Sequence, residues 1–279
     1  MHIVLLVISS LFVALSSLAL NFELHTIKNL GLCLNAPVFV GDYMAARSCS
    51  ERQVAFINLN NYEDITWIDM AFEPARATIK LGNDTYGYLE LDDEILLIYD
   101  LASLELTVIS GGKMHKSPRI TPPSAIFDDV EINFSYENHT LWASLHDKKT
   151  KAQSQKAMVG QRSLMFKNII DDVEYTAASG SIKAQDLKTD QTVTLSPGSM
   201  PSAVTKVNDR YLINANWGDN TVSLIDKNNY TIAQTIAVGK HPVRPVVYKN
   251  KIYISNYGDG SMSIIEFKDM LSTVKKLNQ

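Results

Sequence analysis

Cysteine is scarce. The 279 residues carry two, Cys33 and Cys49, which excludes a disulfide-rich scaffold, paired Cys-x-x-Cys metal knuckles and a Cys-x-x-Cys-His haem attachment. Excess positive charge is missing too. With 26 Lys and Arg against 30 Asp and Glu the net charge is −4, so nucleic acid and anionic membranes are not expected partners. The six histidines are His2, His25, His115, His139, His146 and His241, and none is spaced from another His or a Cys as metal ligands are. No glycine-rich phosphate loop opens a helix, and no serine sits in a nucleophile-elbow frame. No catalytic residue, metal ligand or cofactor is therefore assigned. Helical periodicity is absent over any long stretch, which points to an all-β chain.

One long apolar run exists. Ile3 to Leu20 is free of charge over eighteen positions, and Ser17-Leu18-Ala19 places small residues where a secretory peptidase cuts. Residues 1–19 read as a signal peptide and 20–279 as a single domain, secreted or periplasmic. The first turn of sequence offers only His2 in place of Lys or Arg, so an uncleaved membrane anchor is the alternative. No other stretch could span a bilayer.

What the chain has in quantity is repetition. Asn216-Trp217-Gly218-Asp219-Asn220-Thr221-Val222-Ser223-Leu224-Ile225-Asp226 aligns with Asn256-Tyr257-Gly258-Asp259-Gly260-Ser261-Met262-Ser263-Ile264-Ile265-Glu266 at an offset of 40. Gly198-Ser199-Met200-Pro201 precedes the first and Gly239-Lys240-His241-Pro242 the second, 41 apart. Fainter copies carry acidic or amide markers at Asn58, Asp100, Asp147, Asp186, Asp226 and Glu266, spaced 42, 47, 39, 40 and 40. Pro37, Pro74, Pro123, Pro201 and Pro242 recur upstream of five of the six.

Within a unit, short apolar runs alternate with turn residues about every ten positions, the signature of strands. Val243–Tyr248, Ile252–Asn256 and Met262–Phe267 read as three strands, with turns at Lys249-Asn250 and Gly258-Asp259-Gly260. Thr231–Ala237 reads as a fourth. Four antiparallel strands recurring every forty residues make a β-propeller blade. The expectation is a β-propeller of about six four-stranded blades, seven if strands hide between Leu101 and Pro123. His25-Thr26-Ile27 resembles Gln234-Thr235-Ile236, a fourth strand with no first three before it. It is expected to complete the last blade and close the ring; the Thr273-Val274 tail is the alternative closing strand.

These residues carry a family resemblance. Tyr253-Ile254-Ser255-Asn256, Thr221 to Asp226 and Ala237 to Pro242 resemble the YVTN-type β-propeller repeat, specifically over about 198–266. The resemblance implies a secreted or periplasmic propeller, usually seven-bladed, related in fold to quinoprotein dehydrogenase subunits and surface-layer proteins. It implies no single activity.

In a blade the first strand lines the channel, so the loop entering it and the loop joining strands two and three share one face. That places Cys33 and Cys49 together, and a disulfide between them is expected, contributing about 3 kcal/mol. The same face gathers Arg47, Trp217, Asp219, Lys240, His241, Tyr257 and Asp259 as candidate ligand-binding residues. The acidic pairs Asp92-Asp93, Asp128-Asp129 and Asp171-Asp172 recur at hairpin tips and read as solvated turns. The chain is accordingly expected to be a monomeric, non-catalytic module binding a protein, peptide or glycan. The alternative is a propeller enzyme or enzyme subunit of lactone-hydrolase or quinoprotein-associated type.

Overall fold

The structure is a computed structural model. It describes residues 20–32, 34–48, 53–69, 76–91, 95–100, 103, 105–110, 125–127, 129–137, 140–161, 167–178 and 180–268. Cys33, Cys49, Pro74, Pro123 and the 273–274 tail lie outside them.

Every described element is a strand. β1 (Phe22–Ile27) comes first in the chain and is set aside for the last sheet. The first sheet contains β2 (Val38–Val40), β3 (Tyr43–Ser48), β4 (Gln53–Asn58) and β5 (Asn61–Asp69). The second contains β6 (Arg76–Leu81), β7 (Asp84–Leu91), β8 (Ile95–Tyr99) and β9 (Leu106–Ser110). β10 (Ala125–Phe127), β11 (Val130–Glu137), β12 (Thr140–Asp147) and β13 (Ala157–Gln161) form the third. The fourth is β14 (Lys167–Ile170), β15 (Val173–Ala178), β16 (Ser181–Asp186) and β17 (Thr192–Leu195). The fifth is β18 (Pro201–Lys206), β19 (Tyr211–Asn216), β20 (Thr221–Asp226) and β21 (Thr231–Ala237). β22 (Pro242–Tyr248), β23 (Lys251–Asn256) and β24 (Ser261–Phe267) make the sixth, in which β1 is the fourth strand. All six are antiparallel meanders of four strands.

The recurrent marker at the end of each third strand is explained by the turn that follows it. Oδ1 of Asp186 accepts the N–H groups of Lys188 and Thr189, both at 2.8 Å, and Oδ1 of Asp147 accepts those of Lys149 and Thr150 at 2.8 and 3.0 Å. Asp226, Asn58 and Asp100 cap their turns the same way. The backbone donors, Thr189 and Thr150 foremost, hold the Asp186 and Asp147 carboxyls below the usual carboxylate range. Glu266 departs from the pattern. Its carboxylate instead meets Lys251 Nζ at 3.2 Å. First hairpins close on left-handed pairs, Asp171-Asp172 (φ 49° and 63°) and Lys249-Asn250 (φ 45° and 62°), the geometry that matches strand twist.

Hydrophobic burial lies between sheets. Val54, Phe56, Leu96 and Ile98 join the first sheet to the second, and Tyr175, Ile182, Leu212 and Ile225 join the fourth to the fifth. Ala215, Leu224, Ile254 and Ile265 join the fifth to the sixth. Met44, Ile57, Tyr253 and Ile264 join the sixth back to the first. That last seam also stacks Phe39 on Tyr248 with centroids 3.9 Å apart and pairs Lys249 Nζ with Asp42 at 2.6 Å. β9 runs against β13, bringing the third sheet beside the second. Each sheet alone would expose one apolar face, so stability comes from neighbours.

Candidate functional site

The loops entering β18 and β22 and the turns β19–β20 and β23–β24 sit at one end of the fifth and sixth sheets. Each loop pair is built identically. Trp217 N–H donates to Met200 O (3.1 Å) and Gly218 N–H to Ser199 O (3.0 Å); Tyr257 N–H donates to His241 O (3.0 Å) and Gly258 N–H to Lys240 O (2.9 Å). The Asp219 carboxylate accepts Ser199 N–H at 2.6 Å, and that of Asp259 accepts Lys240 N–H at 2.8 Å. Beneath them Asn216 Nδ2 reaches Thr221 Oγ1 and Ser223 Oγ, as Asn256 Nδ2 reaches Ser261 Oγ and Ser263 Oγ. A Cβ on Gly239 would stand 2.5 Å from Asn256 Nδ2, so only glycine lets the loop close over the amide. The Gly-x-x-Pro and Asn-x-Gly-Asp motifs are thus the two halves of one clasp.

Asn256→Ala is expected to lower the unfolding free energy by about 2 kcal/mol, because two buried hydroxyls lose a donor. Urea unfolding would check it; an unchanged midpoint would remove the amide from the clasp.

Met200 and His241 occupy equivalent positions and are both left-handed, with φ of 50° and 53°. Each precedes a proline, where that backbone is costly, on the order of 1–3 kcal/mol. The clasp hydrogen bonds hold them there, together with His241 N–H to Asn220 Oδ1 at 2.9 Å. The strained turn points the His241 ring at the neighbouring sheet. It stacks on Trp217 with centroids 4.6 Å apart and planes 16° apart, and Tyr257 lies 5.2 Å from Trp217 at 46°. His241 Nδ1 is 3.2 Å from Trp217 O. A carbonyl can only accept, so Nδ1 carries the hydrogen.

Of the residues singled out from sequence, Trp217, His241 and Tyr257 meet in one aromatic row across two sheets. Asp219, Asp259 and the Lys240 backbone build the clasp beneath it, with both carboxylates and the Lys240 side chain exposed. Arg47 is buried near the end of β3 in the first sheet, where its carbonyl accepts Asn35 N–H at 3.2 Å. Cys33 and Cys49 lie outside the described residues. Sequence reading missed Met200, 56% exposed at the head of the row. Its alignment with His241 was the available signal.

No protein-family model matches the sequence, and no curated protein does. Solved structures match in shape. A catalytically inactive virginiamycin B lyase from Staphylococcus aureus, crystallised with quinupristin, aligns at TM-score 0.50 and 10% identity over 88% of this chain and 100% of that one. A chain of the mitotic checkpoint complex aligns at TM-score 0.52 and 11% identity, covering 88% and 91% respectively. At such identities the likeness is one of architecture: the chain has an all-β, propeller-like fold of four-stranded antiparallel sheets.

Proposed function

We propose that this chain is a monomeric, exported, non-catalytic binding module, a six-bladed propeller that takes a protein, peptide or glycan on the Met200–Trp217–His241–Tyr257 face. The observation that carries the reading is the aromatic row itself. Two left-handed residues before proline are held in place; Met200 is left exposed and His241 half-buried against Trp217. Strained backbone kept by a dedicated clasp is characteristic of sites that present groups to a ligand. An exposed tyrosine and two half-buried rings beside exposed ionisable groups suit such a role.

Ring closure is supported by the seam between the sixth and first sheets and by the pairing of β1 with β24. Export rests on the uncharged stretch Ile3–Leu20, and kinship with YVTN-type propellers on the repeat over 198–266.

The test is to screen the wild type and Trp217→Ala in parallel on peptide and glycan arrays, with Lys188→Ala, on the opposite face, as control. Ligands are expected to be captured by the wild type and the control and lost by Trp217→Ala, which keeps its melting temperature. Hits indifferent to Trp217 would move the site elsewhere.

A further inference from the structure

We infer, resting on the binding site just proposed, that the aromatic row takes an extended peptide bearing proline or aliphatic side chains next to a Lys or Arg, rather than a glycan. A glycan is read by hydroxyls meeting open donors and acceptors around a ring. Here the backbone donors and most of the side-chain acceptors are already engaged. The N–H groups of Trp217, Gly218, Asp219, Tyr257, Gly258, Asp259 and Gly260 all donate within the clasps. Asp259 uses both carboxylate oxygens, Oδ2 for Lys240 N–H and Oδ1 for Ser261 N–H and Oγ–H. Asp219 gives Oδ2 to Ser199 N–H. The Asn220 side chain accepts from His241 N–H.

What faces outward is apolar and polarizable: Met200 at 56% exposure, Tyr257 at 37%, and the stacked Trp217 and His241. The loop entering the first sheet comes against the sixth through Leu30 N–H to Gly260 O (2.9 Å) and carries Leu32, 50% exposed. Clustered rings with an exposed methionine in the adjoining loop are what a polyproline-type segment packs against, and such a segment is extended before it binds. Hydrogen bonding does not remove the charge of Asp219 and Asp259. Two exposed carboxylates stand against one exposed ammonium, Lys240, which favours a cationic neighbour on the peptide.

The experiment uses the full chain and fluorescence polarisation of a labelled synthetic peptide of prolines and leucine flanked by arginines. The same peptide with glutamates for arginines, and chitotetraose, are run alongside. The basic peptide is expected to bind saturably, and Trp217→Ala and Tyr257→Ala each to weaken it about tenfold or more with unchanged melting temperature. The acidic peptide is expected to bind several-fold more weakly, the gap closing at high salt. Trp217-dependent binding of chitotetraose with neither peptide bound would overturn the peptide inference and leave the binding site standing. Peptide binding that survives both substitutions, or no saturable binding of any probe, would overturn both.

Discussion

Ile225→Asp is expected to destabilise the protein by roughly 4 kcal/mol or more. Ile225 is fully buried near the end of β20, with Leu212 and Ile232 as its cross-strand partners. Its side chain enters the cluster of Tyr175, Ile182, Ala184, Val204 and Leu212 between the fourth and fifth sheets. A carboxylate there loses that burial and finds no cation in an apolar seam, so the carboxyl must either remain protonated or open the seam to water. Ile232→Asp is the matched control. It lies one strand outward at 39% exposure and is expected to cost less than about 1 kcal/mol. Denaturant unfolding of the two variants reads the difference directly. Equal midpoints would mean that Ile225 does not face another sheet.

The second large effect concerns the strand that joins the ends. Removing residues through Ile27 is expected to abolish cooperative folding. β1 pairs with β24 along its whole length, from Phe22 opposite Phe267 to Ile27 opposite Met262. Phe22 and Phe267 meet edge to face at 6.0 Å, Lys268 N–H donates to Asn21 O at 3.0 Å, and Lys268 pairs with Glu23. Without β1, the strand carrying Met262, Ile264 and Ile265 has a bare edge, an invitation to aggregation. Because Asn21 and Lys268 are hydrogen-bonded, the same strand can be supplied from the other end. A circular permutant joining 268 to 21 by a short linker and opened between Lys188 and Thr189 is expected to fold with a melting temperature within about 10 °C of the wild type. A truncated chain that melts as sharply as the full one would show β1 to be dispensable. A permutant that fails while the intact chain folds would count against the closed arrangement.

Much of the fold was legible because the repeat encodes local hydrogen bonds. A third strand that runs into a two-strand turn needs an acceptor at its end, and Asp, or Asn at 58, recurs there. A loop that closes over an amide needs glycine, hence Gly198 and Gly239. Such requirements act over a few residues or within one sheet, so they leave a mark at fixed spacing. Strand boundaries in the last two units followed, and so did the pairing of the N-terminal strand with β24. The apolar seams were legible only as a class: each strand showed a buried pattern, but not which sheet it met.

The sequence by itself determined the all-β architecture, the forty-residue unit, the turn chemistry and the end of the sheets where a site should lie. Tertiary structure alone decided how the exposed residues combine. Asp219 and Asp259 read as ligand groups, and their geometry also makes them part of the clasp, because each accepts an N–H from across the loop. Met200 is an ordinary methionine until its backbone is held left-handed beside Trp217. The pairing of Lys249 with Asp42 spans 207 positions and leaves no local signature. Periodic patterns report what each residue does within its own sheet, whereas the meeting of His241 with Trp217 depends on how neighbouring sheets are juxtaposed, and only packing sets that.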